Sequence, residues 1–349
     1  MSKLPETFKG ACMALSRAIV LMLLLLGGGA SAVAEDNLPR QQCWTPAELA
    51  GTASEIKHQR SKGALDLAAL KRVVPPPATP VPSSLRGLIG SVELPPDRKL
   101  IALTFDLCEE SGYVSGYDGR IVDLLRAQGI KATFFAGGKW METHPERAAQ
   151  LIADPLFEVG SHGLSHADLS KTNEAKTAEE IALTEAAYTR AKTALTARQC
   201  VLGAAAPAPP EQLRLFRFPY GRCNAKSLAA AGDAGLLAVQ WDVVTGDPDP
   251  RVSAKTIANT ILTRAHPGAI VVAHANGRGS NTAAALAVAL PKLKEQGYSF
   301  VTVSELLEAG KPIIAQACSQ PKQVKSRRIA RESKQRSGHD LFSLFHRRN

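Results

Sequence analysis

The sequence predicts an α/β protein, a distorted (β/α) barrel of about seven units with an irregular N-terminal extension and a basic C-terminal tail. Three observations support this prediction. Short apolar runs alternate with amphipathic stretches from residue 98 to residue 311. Polar and ionisable residues follow directly after the apolar runs. The chain has 349 residues, of which 45% are hydrophobic, enough to bury one large core.

Each barrel element has a local reason. Strands are predicted at short apolar runs, namely 99–105, 131–136, 157–160, 213–218, 236–241, 269–274 and 299–303. Helices are predicted at longer periodic stretches, namely 121–128, 145–153, 175–198, 225–234, 254–265, 282–296 and 304–309. Pro145 opens one helix, while Gly129 and Gly297 stop two others. Strands that alternate with helices in this way favour a parallel sheet that closes, or nearly closes, into a barrel.

The N-terminal part is predicted to lie outside this domain. Residues 1–34 combine basic residues, an apolar run at 18–26 and small residues at 30–32, the layout of a secretory signal peptide. Because that run is shorter than the roughly 20 residues of a membrane-spanning helix, we expect cleavage after Ala32 or Ala34 and export to the periplasm or the medium. An uncleaved membrane anchor is the alternative. Residues 35–97 are expected to be irregular, with an extended, semi-rigid proline-rich linker at 75–82.

The C-terminal tail, residues 312–349, carries much of the +10 net charge. After Cys318 it has nine lysines and arginines against two acidic residues. Such a tail is typical of a solvated, disordered end, or of a tether to anionic envelope components. Its aromatic residues are Phe342 and Phe345, which offer little for base stacking, so no specific nucleic-acid partner is expected.

Cysteine usage indicates that at least one thiol stays unpaired. If Cys12 leaves with the signal peptide, five cysteines remain, an odd number. They are Cys43, Cys108, Cys200, Cys223 and Cys318. In an exported protein the others are free to form disulfides.

The sharpest local motif is a pair of histidines, His162 and His166, four residues apart and directly after a predicted strand. In a helical turn this spacing aims both imidazoles the same way, as a divalent metal requires. Taken alone, the pair is as typical of two structural histidines as of a metal site.

Further polar residues follow other predicted strands. Asp106 ends one strand and is a candidate general base, although a helix cap or turn residue fits the same position. Arg217 can orient a carboxylate, and the turn after it frees the backbone N–H of Tyr220 for an oxyanion, although a structural salt bridge and a tight turn fit the same residues. His274 ends an apolar strand and suits a general acid, or a satisfied core histidine.

Together, the motifs T-F-D, S-H-x-x-S-H, R-F-P-Y-G, W-D-x-x-x-x-D and V-V-A-H resemble those of the polysaccharide deacetylase family, the NodB-homology domains of carbohydrate esterase family four. The resemblance covers about 99–310, within a predicted catalytic domain at 98–311. It implies metal-dependent removal of N-acetyl groups from an acetylated glycan polymer: peptidoglycan, a chitin-like oligomer or an exopolysaccharide. It also implies one divalent metal ion, for which zinc is the default.

The resemblance implies a role for nine residues. The catalytic set is Asp106 as base, Arg217 as the residue that steadies it, Tyr220 as backbone oxyanion donor, Asp247 as the carboxylate that tunes the acid, and His274 as general acid. The metal histidines are His162 and His166, and the acetyl pocket is lined by Trp241 and Val272.

The sequence departs from the family pattern at two positions. The second aspartate of T-F-D, the family's third metal ligand, is replaced by Leu107, which cannot bind a metal. We expect Glu109 to replace it because it is a carboxylate of the same loop. The alternatives, in order, are Glu110, Cys108 and Asp118, or coordination by Asp106 itself with another base. Asp247 is followed by Pro248 where the family tends to have tryptophan, which puts one wall of the acetyl pocket in doubt.

Two other functions and one disulfide follow as hypotheses. The domain also suits an O-acetyl esterase acting on a glycan. Because of Leu107, a catalytically weakened glycan-binding envelope protein is a further alternative. Cys108 and Cys223 each follow a motif of the same rim, so we hypothesise that they form a disulfide.

Overall fold

The structure is a computed structural model that describes residues 43–61, 65–198, 208–315 and 318. Its helices are α1 Pro46–Leu49, α2 Leu67–Lys71, α3 Gly119–Ala127, α4 Gly138–Thr143, α5 Pro145–Ala153, α6 Glu174–Ala197, α7 Ala225–Asp233, α8 Ala254–Arg264, α9 Thr282–Glu295 and α10 Val303–Ala309. Its strands are β1 Gln59–Arg60, β2 Leu88–Glu93, β3 Leu100–Leu107, β4 Tyr113–Val114, β5 Ala132–Ala136, β6 Phe157–Ser161, β7 Leu215–Phe216, β8 Leu237–Ala238, β9 Val243–Val244, β10 Ile270–His274, β11 Ser299–Val301 and β12 Lys311–Ala315.

The central sheet confirms the predicted α/β barrel class. Its strands lie in the order β8-β7-β6-β5-β3-β10-β9, with β11 also paired to β3, and all these pairs are parallel. The sheet curls into a half-barrel with helices around it. The central strands β3 and β5 are buried almost throughout, as expected for apolar strands covered on both faces.

Strand β2 shows that the compact domain begins before the predicted boundary at residue 98. It bridges Ile89 to Val239 and Ser91 to Ala269, so it lies across the gap between β8 and β10. It also pairs antiparallel with β12, which brings residues 312–315 of the predicted tail into the fold. Both boundaries were misplaced because the apolar pattern of these strands is interrupted by glycine, serine and proline.

The proline-rich segment is packed on the domain rather than spanning between separate units. The side-chain amide of Gln212 donates to the carbonyl of Pro76, and the N–H of Val81 donates to the carbonyl of Gly232 at 2.8 Å. Trp44 and Leu70, also in the predicted irregular extension, are 2% and 0% exposed. The extension therefore contributes to the core.

Part of the extension also braces the loops at the carboxyl end of the sheet. Strand β1 pairs with β4, and the N–H of Tyr117 donates to the carbonyl of Glu55 at 2.7 Å. The carbonyl of Ile56 lies so close to Gly116 and Gly277 that an added Cβ at either position would approach it to 2.3 and 2.0 Å. Only glycine fits such an approach.

The disulfide hypothesis is wrong: Cys223 is bonded to Cys318, not to Cys108. This bond links the turn after β7 to a residue just beyond β12. Cys108 is a free, buried thiol, which confirms the expectation of an unpaired cysteine. The sequence indicated that Cys108 and Cys223 lie at the same rim. It could not indicate that Cys318, far along the chain, also reaches this rim.

The predicted signal peptide, 1–34, and the tail after Cys318 lie outside the described residues. Within the described ranges, no helix is both long and apolar enough to cross a membrane.

Sheet register brings the predicted site residues together. His274 lies beside Asp106 on neighbouring strands β10 and β3, and Ser161, next to His162, lies beside Phe216, next to Arg217. Because these strands are parallel, their carboxyl ends meet at one rim.

Candidate metal centre and active site

The carboxylate of Asp106 is fixed by a buried arginine. Nη1 of Arg217 donates to Oδ1 of Asp106 at 2.8 Å, and the remaining guanidinium donors reach the carbonyls of Val239 at 3.3 Å and Gln240 at 3.0 Å. Arg217 is 0% exposed and Asp106 is 4% exposed. Burial alone would raise the pKa of Asp106, but the charge and hydrogen bond of Arg217, together with the nearby histidines, outweigh burial, and the pKa is lowered. Asp106 is therefore ionised and oriented.

His162 presents one ring nitrogen to Asp106. Its Nδ1 lies 2.8 Å from the carbonyl oxygen of Arg217, which can only accept a hydrogen bond, so Nδ1 carries the proton. Nε2 then has a free lone pair, 3.6 Å from Oδ2 of Asp106. Burial lowers the pKa of His162. This buried Nε2 has no hydrogen-bond partner among the described residues.

His166 lies beside His162, with ring centroids 5.0 Å apart. Its backbone has a positive φ of 56°, which is uncommon outside glycine and often marks a functional constraint. Burial lowers the pKa of His166 to about 2, so the ring is neutral. Its buried Nδ1 also lacks a hydrogen-bond partner in the described part of the chain. The ring centroid of Tyr220 is 4.3 Å away.

The third donor group close to the two histidines is a thiol and not the expected carboxylate. Donor atoms of Cys108, His162 and His166 all lie within 4.8 Å of one another. Burial raises the pKa of Cys108 to about 12. Two buried imidazole nitrogens without partners and a nearby sulfur form a donor set that suits a divalent cation such as zinc.

The expectation that Glu109 is the third ligand does not agree with the geometry. Its Oε2 accepts from the N–H of Ser115 at 3.0 Å and from the hydroxyl of Thr143 at 2.8 Å. Its Oε1 is 3.4 Å from Nζ of Lys139. The side chain thus turns away from the histidines and anchors its loop.

The other two carboxylates of this loop have different positions. Oε1 of Glu110 is 3.8 Å from Nδ1 of His166, but it accepts from Nη1 of Arg278 at 2.8 Å. Asp118 pairs with Arg120 at 2.7 Å. Of the two, Glu110 is the one within reach of the histidines.

His274 is held by a buried carboxylate. Asp247, 1% exposed, accepts from Nδ1 of His274 at 2.9 Å and from its backbone N–H at 2.7 Å. Thr245 and Thr282 also donate to Asp247, at 2.9 and 2.7 Å. Burial would lower the pKa of His274, but the charge and hydrogen bond of Asp247 outweigh it, so the pKa is raised. His274 is therefore suited to carry a proton.

These groups border one cleft of about 290 Å³. Asp106, Cys108, His166, Asp247 and His274 line it, and so do the predicted pocket residues Trp241 and Val272. Tyr220, also in the lining, is 47% exposed and has a positive φ of 58°. Three larger clefts lie elsewhere in the described chain, and none of them is lined by the predicted catalytic or metal-binding residues.

Sequence reasoning missed three residues that the geometry adds. Arg278 lines the cleft and pairs with Glu110 at its mouth. Asn276 is 0% exposed and donates to Cys108. Thr282 helps to fix Asp247. The run from His274 to Thr282 follows a strand end and contains two glycines, a signal for a functional loop that was not used.

A half-barrel with two bare imidazoles, an arginine-held aspartate and an aspartate-held histidine defines a metal-dependent hydrolase. Residues 93–239 match the family model for polysaccharide deacetylases. The chain is 34% identical over 221 residues to a peptidoglycan-N-acetylglucosamine deacetylase of Bacillus cereus, covering 62% of this chain and 91% of the relative. The chain therefore belongs to the polysaccharide deacetylase family, as the motifs predicted.

Two solved structures share the fold. The Bc1960 peptidoglycan N-acetylglucosamine deacetylase, in complex with 4-naphthalen-1-yl-N-oxidanyl-benzamide, is 29% identical with a TM-score of 0.53, covering 67% of this chain and all of that one. A mutant of BA3943, a family pseudoenzyme with restored enzymatic activity, is 26% identical with a TM-score of 0.53, covering 64% and 71%.

Proposed function

We propose that this protein is an exported, metal-dependent deacetylase that hydrolyses the N-acetyl group of N-acetylglucosamine units in a glycan polymer. The observation that supports the proposal most strongly is that three kinds of reactive side chain come together at one cleft. These are the bare nitrogens of His162 and His166, the ionised Asp106, and the proton-carrying His274. His166, Asp106 and His274 line the cleft, and Nε2 of His162 is 3.6 Å from Oδ2 of Asp106. The similarity to peptidoglycan-N-acetylglucosamine deacetylases supports this substrate class.

The metal would be held by His162 and His166 together with a third protein donor. Such an ion supplies a Lewis acid for the amide carbonyl and lowers the pKa of a water molecule. Zinc is the natural choice for nitrogen and sulfur donors. His162 is kept in the correct tautomer by its hydrogen bond to the carbonyl of Arg217.

The protein's own groups move the protons. Asp106 faces the bare nitrogen of His162 and accepts the proton of the attacking water, while Arg217 holds its carboxylate in one orientation. His274 donates a proton to the departing sugar amine, and Asp247 keeps it charged and aligned. The products are acetate and a free amino sugar.

The oxyanion and the acyl group have natural positions in the same cleft. The backbone N–H of Tyr220, set by the strained turn after β7, is our candidate oxyanion donor. Trp241 and Val272 provide apolar surface for a methyl group. Pro248 also lines the cleft, so this wall is smaller than a tryptophan would make it.

The experiment is acetate release by the purified chain from residue 35 onwards, with Asp106→Asn as the matched control. The panel contains peptidoglycan glycan strands, chitooligosaccharides and O-acetylated xylan. We expect acetate and new amines from an N-acetylglucosamine substrate, and none from the control. Acetate from xylan alone would establish an O-acetyl esterase instead. Folded, glycan-binding protein without turnover would establish the catalytically weakened alternative.

Export and the tail are parts of the proposal with their own tests. Fractionation and N-terminal sequencing of the full chain should give periplasmic or extracellular protein that begins after residue 32 or 34. Retention of residues 1–34 in a membrane fraction would refute cleavage. Truncation after Cys318 should weaken binding to anionic envelope polymer at low salt, with acetate release from short oligomers unchanged. Equal binding by the truncated and the full-length protein would show that the tail does not bind envelope polymer.

A further inference from the structure

Cys108 shares a face of the chain with the catalytic aspartate. Side chains alternate along a strand, so residues two apart point the same way. Asp106 is the last but one residue of β3, and Cys108 directly follows the strand; both line the cleft, whereas Leu107 between them is 0% exposed in the core. The position that carries the family's aspartate is therefore turned inward here, and the sulfur lies on the side of the histidines.

The sulfur faces two nitrogens that have no other partner. Nε2 of His162, in a residue 1% exposed, and Nδ1 of His166, in a residue 8% exposed, lack hydrogen-bond partners among the described residues. One donor atom from each of Cys108, His162 and His166 lies within 4.8 Å of the other two. Buried polar atoms without partners are rare in folded proteins, because each costs free energy unless a ligand satisfies it.

The buried side-chain amide of Asn276 contacts the sulfur of Cys108. Nδ2 of Asn276, in a residue 0% exposed, donates to the carbonyl of Cys108 at 2.8 Å and to its Sγ at 3.1 Å. Hydrogen bonds from neighbouring groups orient metal ligands and tune their basicity. An N–H aimed at sulfur stabilises the negative thiolate in particular. Asn276 thus fixes both the backbone and the side chain of Cys108.

We propose that Cys108 is the third protein ligand, a thiolate in place of the family's carboxylate, and that Asn276 positions it. The inference rests on the proposed function only in assuming that His162 and His166 bind a metal. On binding, the thiol proton is released to solvent and a metal–sulfur bond forms. With one sulfur and two nitrogen ligands, the centre should select zinc or cobalt over manganese or magnesium.

Two carboxylates compete for the same role, and both are engaged elsewhere. Asp106 has one oxygen on Arg217 at 2.8 Å. Glu110 has Oε1 on Arg278 at 2.8 Å, and its side chain is 31% exposed. Glu110 is the stronger competitor because it is 3.8 Å from Nδ1 of His166, so it provides the matched control.

The direct test is the absorption spectrum of the cobalt(II)-substituted protein. We expect a sulfur-to-cobalt charge-transfer band in the near ultraviolet for the wild type and for Glu110→Gln. The band should be lost in Cys108→Ser and in Cys108→Asp, which both retain cobalt absorption in the visible. Wild-type protein that binds cobalt without this band, or that fails to bind cobalt, overturns the proposal whether or not any variant folds.

Zinc affinity, measured by competition with a chromophoric chelator, tests the same point without activity. Cys108→Ser should weaken zinc binding by at least about 10-fold, and Asn276→Ala by about 10–100-fold, as for other groups that hold a metal ligand in place. Glu110→Gln should bind as the wild type does. Loss of affinity in Glu110→Gln and none in Cys108→Ser would assign the ligand to the carboxylate.

The two proposals fail in different ways. A charge-transfer band without acetate release from any glycan would support the thiolate ligand and refute the proposed deacetylase activity. Acetate release without the band would support the deacetylase activity and refute the thiolate ligand.

Discussion

Nη1 of Arg217 lies 2.8 Å from Oδ1 of Asp106, with both side chains buried at the end of the barrel. The guanidinium reaches this position because strand β7 ends at Phe216, one residue earlier. The pair fixes the base, and it also satisfies two charges that would be costly to bury alone.

Removing Arg217 should therefore lower the stability of the folded protein and also slow the deacetylation reaction. Arg217→Met leaves the carboxylate of Asp106 buried without its partner, at a cost of about 3–5 kcal/mol in the free energy of unfolding. The double variant Asp106→Asn/Arg217→Met should lose less than the sum of the two single changes, since the pair is coupled. Urea unfolding of the four proteins measures this; additive losses would show that the two groups act independently.

The second prediction concerns the alkaline limb of the pH–rate profile. The charge of Asp247 raises the pKa of His274 against the effect of burial, so the acid stays protonated to higher pH. In Asp247→Asn that charge is lost, the pKa of His274 falls, and the alkaline limb should move to lower pH, with kcat reduced by about 10²–10⁴-fold. Thr282→Val, which removes only a hydrogen bond to Asp247, should leave the limb nearly in place. An unmoved limb in Asp247→Asn would exclude His274 as the acid.

Glu185, on helix α6, gives stability a pH dependence unrelated to catalysis. Burial raises the pKa of its carboxyl from 4.5 to about 7. The folded state then binds this proton more tightly than the unfolded state. Its stability contribution is complete below about pH 4.5 and is lost as the pH rises through 7.

Glu185→Gln should therefore flatten the stability profile between about pH 4.5 and 7. At pH 8 it should raise the free energy of unfolding on the order of 1–3 kcal/mol, because a partly buried charge is removed. Thermal unfolding across this range is the measurement. Glu211→Gln, whose side chain is 84% exposed, is the control and should keep the wild-type slope. Identical slopes in all three proteins would contradict the assignment.

The brace between the N-terminal extension and the rim can be tested at two glycines. Gly277 and Gly112 have similar positive φ values, 82° and 80°, but a Cβ would meet the carbonyl of Ile56 only at Gly277. Alanine at either position costs about 1–2 kcal/mol for the backbone. Gly277→Ala should cost about 1–3 kcal/mol more through the clash.

The same comparison reads out function. Gly277→Ala should also lower kcat/KM, because the displaced loop carries Arg278 of the cleft, whereas Gly112→Ala should not. Equal stability losses in denaturant titrations would mean that the extension does not support the rim.

The sequence predicted the barrel because its central strands are apolar runs with no competing pattern, as in β3 and β5. It predicted most of the site because parallel strands bring their carboxyl ends together. It failed for the third donor because Glu109 was chosen by chemical type. The alternation of side chains along β3, continued one residue past its end, would have favoured Cys108, two residues after Asp106.

Other features could not be predicted from local pattern. The Cys223–Cys318 bond joins residues 95 positions apart, and no periodicity reports such a pairing. Strand β2 was missed because Gly90 and Ser91 interrupt its apolar residues. It is stabilised by pairing with β12, more than 200 residues later.

We propose that the histidine pair and Asp106 act on one metal-activated water. The most direct test of this proposal is acetate release from an N-acetylglucosamine oligomer by chelator-treated protein before and after zinc is restored. We expect negligible release without metal and recovery with zinc in the wild type, but no recovery in His162→Ala or Asp106→Asn. Undiminished release from metal-free protein, or from His162→Ala, would contradict it.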